Sequence, residues 1–228
     1  MIGYRLLYLA SLVTFSFGAL TFSALLMLYV RQGGARKNRA SVLPVFTLIC
    51  GLSFLINLAF QIASAAGGEI GPALSLALDA TTSLIPPCLV HLVYAPEARH
   101  LRGARLWRWL VYLLYPISLA IAVVESELSA APAVALGSAA LLALLMQSLS
   151  PRNLSTLERN HRWWTRVILI SIAASSAIYL IRPDLFLGLL PDYLVLALFA
   201  ITLYYEERPI FFDLLIKRGV CSRSRWPA

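Results

Sequence analysis

Apolar residues come along this chain in long blocks, each set off by a short charged stretch. A helix rising 1.5 Å per residue needs about 20 residues to cross roughly 30 Å of hydrocarbon. Seven blocks reach that length: Tyr4 to Val30, Ser41 to Ala65, Pro72 to Ala95, Leu106 to Val124, Ala130 to Leu149, Trp163 to Ile181 and Leu185 to Tyr205. As helices buried in a soluble core, seven such segments would need an amphipathic shell, and no segment offers one. The first block exceeds a signal-peptide apolar region, about 7–15 residues, and no small-x-small cleavage site follows it, so it is expected to be a retained span.

Composition agrees: 60% of the 228 residues are hydrophobic and 13% charged, with a mean hydropathy of +0.77. That leaves too few polar side chains to cover a soluble protein of this size. Low charge and abundant aromatics exclude disorder, and three cysteines, two of them inside apolar blocks, exclude a disulfide framework. The expected fold is an all-α integral membrane protein, a seven-transmembrane-helix bundle over 1–205 followed by a cytoplasmic juxtamembrane helix and tail over 206–228.

The net charge of +8 invites a nucleic-acid reading, but its placement assigns it to topology. Of the 19 Lys and Arg residues, all except Arg5 and Arg182 fall in or beside the first, third and fifth loops and the tail. The second and fourth loops carry only Glu69, Glu125 and Glu127. By the positive-inside rule the N-terminus lies outside and the C-terminus is cytoplasmic, with multi-pass insertion in the cell (inner) membrane. Trp107, Trp109, Trp163, Trp164, Tyr204 and Tyr205 fall at the inner headgroup level, as an aromatic belt should. Ala131, Ala135, Ala139 and Ala143 recur every four residues, a small-residue face for close helix packing.

Several chemistries lack their residues. A retinal Schiff base needs a lysine within a helix, whereas Lys37 and Lys217 lie outside the blocks. Bis-histidine haem needs two facing imidazoles, but His91 alone is inside a block, with His100 and His161 assigned to basic loops. There is no zinc motif and no phosphate-binding glycine loop, so no catalytic residue, metal site or cofactor is expected.

Polar groups inside the blocks are the remaining candidates. Asp79 is the least expected, because a carboxylate within a span costs a few kcal/mol on insertion scales. Ser75, Asp79, Thr82, Ser83 and Pro86 share one face of the third helix, and Asn57, Gln61, Ser175, Ser176, Tyr179 and Asp192 lie at similar depth. One reading makes Asp79, Asn57, Gln61, Ser83, Tyr179 and Asp192 a ligand or proton pocket open to the outside. The other, the commoner use of such groups, is hydrogen bonding between helices. Pro86 and Pro87 remove two backbone donors in mid-helix, so a kink is expected there, with His91 one turn beyond it.

After the seventh block, Glu206-Glu207-Arg208-Pro209-Ile210-Phe211-Phe212-Asp213-Leu214-Leu215-Ile216-Lys217-Arg218-Gly219 starts with a proline suited to a first helical turn. It presents an apolar side and stops at glycine. This stretch and Ile85-Pro86-Pro87-Cys88-Leu89-Val90-His91-Leu92 together resemble the N-terminal seven-helix sensory region of bacterial membrane histidine kinases. The resemblance covers the bundle in plan and its motifs are two short stretches. It implies a hinge at Pro86, Pro87 and His91, and a transmission helix carrying Glu207, Arg208, Pro209, Phe211, Phe212, Asp213, Lys217, Arg218 and Gly219. The family continues into a dimerising helix and an ATP-binding domain that this sequence does not contain. The expectation is therefore a sensory module without catalysis of its own: a truncated product, an excised module or a stand-alone subunit. Its partners would be the lipid bilayer, a second copy of the chain, and a separate cytoplasmic kinase or other output protein, with no nucleic acid. The alternative, a small transporter, predicts broken helices in matching positions of two halves, and Pro191 is a poor counterpart to Pro86-Pro87.

Overall fold

The computed structural model describes residues 2–32, 42–67, 71–98, 100–124, 131–150, 154–181 and 193–202. Among them there is no strand. The helices are α1 (Ile2–Gln32), α2 (Val42–Ala65), α3 (Pro72–Glu97), α4 (Ala104–Val124), α5 (Ala131–Leu149) and α6 (Thr156–Ile181), followed by a shorter α7 (Tyr193–Thr202). Helices α1, α2, α3, α5 and α6 each contain a segment long and apolar enough to cross a membrane. Large apolar side chains such as Leu20, Leu106 and Ile181 stand exposed on the outer surface, as a lipid-facing exterior requires. The chain is a multi-pass helical membrane protein. The segment 207–219, and with it the expected transmission helix, lies outside the described residues, as does Asp192.

Each apolar block holds a helix, and one boundary differs in a way that matters. α6 starts at Thr156, well before Trp163. Ser155 and Glu158 form a reciprocal cap: the Ser155 backbone N–H and hydroxyl both donate to Glu158 Oε2, at 3.0 and 2.9 Å, and the Glu158 N–H returns a bond to Ser155 Oγ at 3.3 Å. The cap holds a polar first stretch in helical form, so Arg159, His161 and Arg162 sit on α6 and not in a loop.

α3 is the hub, packed against α2, α4 and α5. Pro72 opens it at a position where no intrahelical donor is needed. Pro86 and Pro87 do not break it, and apart from half-buried His91 every residue from Ile85 to Tyr94 is buried. The core beside it is aromatic. Phe22 of α1 lies 5.5 Å from Phe54 of α2 and 4.8 Å from Phe199 of α7, ring centre to ring centre, and Phe46 stacks on Phe199 at 5.9 Å. Leu89, Ala140, Ala143, Leu169 and Ile172 belong to the same cluster, in which Cys50 and Cys88 are also buried.

Close helix contacts rest on small residues. A Cβ on Gly18 would meet the Phe54 ring at 2.1 Å, and one on Gly137 would lie 3.0 Å from Ser176 Cβ where α5 meets α6. Of the alanine stripe, Ala139 and Ala143 are buried and Ala135 is half-buried. Ala139 and Ala143 belong to the core, and α5 also approaches α6 closely at Gly137, on a neighbouring line of the same helix.

Candidate functional site at the basic end of the bundle

The polar residues expected to form an outer pocket separate onto different seams. Asp79 is exposed on the outside of α3, because the face it shares with Thr82 and Pro86 turns from surface to core along the helix. Thr82 Oγ1 and Ser53 Oγ lie 3.4 Å apart across the α2–α3 seam, and Asn57 Nδ2 donates to the Ser53 carbonyl of its own helix at 2.9 Å. The Gln61 backbone carbonyl accepts from Tyr8 of α1 at 3.2 Å. Ser83 and Tyr179 are each half-buried, and Tyr179 is on α6, which packs chiefly against α5.

His91 joins α3 to α4. Its Nδ1 lies 3.1 Å from the Tyr115 hydroxyl, which also reaches Cys88 Sγ at 3.5 Å. The Tyr112 and Tyr115 rings stand edge-on to the imidazole, with centres 5.4 and 6.0 Å away. Pro86 and Pro87, on the turn before, are in the core.

Charge is gathered at the opposite end of α3 from Asp79, where α3 and α5 stop and α6 begins. Glu97, the last residue of α3, is 4% exposed. A carboxylate so placed costs several kcal/mol unless partners replace its water. Ser150, just past α5, donates to Glu97 Oε2 at 2.6 Å. Arg162 on α6 pairs with it, Nε to Oε1 at 3.8 Å, and donates through Nη2 to the Ser150 carbonyl at 3.2 Å. Arg166, one turn further on, donates to the Gln147 carbonyl at 3.3 Å, capping the end of α5 with positive charge. One carboxylate, one hydroxyl and two guanidinium groups thus tie α3, α5 and α6 together.

Beside this knot is a cavity of about 190 Å³. Leu92, Val93, Leu157 and Leu198 form its apolar wall, and Glu97, Gln147, Glu158, His161, Arg162, Thr165 and Thr202 its polar one. Four helices contribute, α7 included. Among the described residues no cluster of three or more His, Cys, Asp or Glu side chains is placed to hold a metal ion.

None of these residues was singled out by the sequence except as loop charge. Ser155-x-x-Glu158 was the available signal: a capping box there moves His161 and Arg162 from loop to helix. No local pattern could pair Glu97 with Arg162, which are far apart in the chain. The chain matches no family model, and no curated protein or solved structure is significantly similar to it.

Proposed function

We propose that this chain is the membrane input module of a signalling system, a seven-helix bundle in the bacterial inner membrane with its N-terminus outside and its C-terminus cytoplasmic. In this reading it has no catalytic set of its own and acts on a cytoplasmic output protein of the histidine-kinase type. The observation that carries the reading is where polarity lies within the bundle. The middle is packed with Phe22, Phe54, Phe199, Leu89 and Ile172, while the buried ion pair and the cavity sit at one end. α7 also reaches that end, and the segment resembling a transmission helix follows it in sequence.

A helix bundle that passes a signal needs a bistable contact near its output, and a Glu97–Arg162 pair shared by three helices is a contact of that kind. A transporter needs a polar site near the bilayer midplane, built on discontinuous helices. Here α1 to α6 are each continuous, and among the described residues the middle of the core holds small hydroxyls such as Thr14, Thr47 and Ser53 but no buried charge, which favours signalling.

The test is a fusion of residues 1–219 to the catalytic part of a histidine kinase. Glu97→Gln and Arg162→Gln are expected to change basal output severalfold while membrane levels stay constant. Unchanged output from folded variants, or substrate uptake by the reconstituted chain, would overturn the proposal.

A further inference from the structure

We infer that the exposed arginines at the start of α4 form a headgroup site for an anionic phospholipid, whose acyl chains follow the apolar side of the same helix. The inference stands apart from the signalling proposal, since it uses only the surface that the bundle turns to its bilayer.

Arg102 stands in the turn ahead of α4, and Arg105 and Arg108 lie in its first two turns; all three are exposed. At about 100° per residue, Arg105, Arg108 and Trp109 share roughly 100° of the helix surface. Helical side chains lean toward the N-terminus of their own helix, so arginines placed here reach back out of the apolar layer toward the headgroups. α4 has no acidic residue in its first turn, which leaves the positive end of its dipole uncompensated by its own side chains.

None of the three guanidinium groups makes a hydrogen bond or an ion pair among the described residues. The described acids are engaged elsewhere or lie far off: Glu97 is held by Ser150 and Arg162, Glu158 caps α6, and Asp79 is on the far half of α3. Arg162 and Arg166 differ from the exposed set, because both donate to carbonyls at the end of α5. Phosphate suits the exposed set best, since a guanidinium fork meets two of its oxygens at once. The strip beside the arginines decides between a lipid and a soluble anion. Leu106, Trp109 and Leu113 are exposed there, and Leu113 lies about 12 Å further along the axis than Arg105. A free phosphate would cover the guanidinium groups and leave this strip bare, whereas a phospholipid covers both, with the amphipathic indole of Trp109 at the boundary.

The experiment uses the full chain, delipidated in a nonionic detergent and titrated with phosphatidylglycerol or with phosphatidylcholine of the same acyl chains, bound lipid being counted by native mass spectrometry. One phosphatidylglycerol per chain is expected to bind at least about tenfold more tightly than phosphatidylcholine. Arg105→Gln combined with Arg108→Gln should bring that preference down to about twofold or less. The unfolding temperature should hold, because neither guanidinium has a partner to lose. Arg159→Gln, which removes an exposed charge from α6, should leave the preference unchanged. If the double variant does not fold, Arg102→Gln, outside the helix, tests the same preference with an expected loss of about threefold. Equal binding of the two lipids, an unchanged preference in the folded double variant or in Arg102→Gln, an equal loss in Arg159→Gln, or displacement of the lipid by soluble glycerol phosphate would overturn the inference.

Discussion

Glu97 closes α3 with a carboxylate that water scarcely reaches, and its partners lie on α6 and just past α5. Truncating it leaves Arg162 and Ser150 facing a void from which their counterpart has gone. Removing one member of a buried pair typically costs 3–5 kcal/mol, more than the pair contributes by existing. Glu97→Ala is expected to lose about 3 kcal/mol in reversible denaturation. Glu97→Gln should lose less, since an amide oxygen still accepts from Ser150. A loss under about 1 kcal/mol for Glu97→Ala would mean that the contact is solvated. At this scale the sequence informs poorly. Asp79 drew attention because a carboxylate inside an apolar block is costly, yet its helix turns it outward; Glu97 drew none because it ends a block, yet its helix turns it inward. Hydropathy measures the neighbours along the chain, whereas burial depends on neighbours from other helices.

Between elements, the decisive fits are made by residues with little or no side chain. Gly18 lets the Phe54 ring rest on the backbone of α1, and Gly51 faces Phe22 in the reverse sense, with a prospective Cβ 3.1 Å from Phe22 Cβ. Gly18→Val cannot be accommodated without moving Phe54, and through it Phe22 and Phe199. We expect at least 2 kcal/mol of destabilisation from such overpacking, seen as a lower unfolding temperature in detergent. Restored stability in the double variant Gly18→Val, Phe54→Leu would identify the contact as the cause. The helices themselves were readable, since each apolar block holds one. The start of α6 was misplaced because hydropathy does not register a cap, and Thr156–Arg162 is helical through the Ser155–Glu158 bonds despite its charge. The alanine stripe supplies core positions at Ala139 and Ala143 and does not include Gly137, where α5 also comes close to α6.

For the molecule as a whole, membrane residence follows from block length alone, and the segregation of Lys and Arg adds a testable orientation. Reporter fusions after Gly34 and Gly103 should behave as cytoplasmic and one after Gly67 as external; the reverse pattern would invert the topology. Trp109, Trp163 and Trp164 expose much of their surface near the starts of α4 and α6, where an interfacial belt would lie. The cavity was beyond the sequence for a plain reason: it is assembled from the ends of α3, α5 and α7 and the start of α6, and no one of them carries a motif for it.

Cys50 and Cys88 have no exposed surface, which makes them a built-in clock for breathing of the bundle. With Cys221 replaced by serine, a maleimide of low mass should label the resting protein only as fast as the helices separate. Such labelling would accelerate sharply in Gly18→Val. Rapid modification of the unaltered bundle would mean that the aromatic core opens on the timescale of the reagent, and that the two thiols are sealed by far less than the packing around them implies.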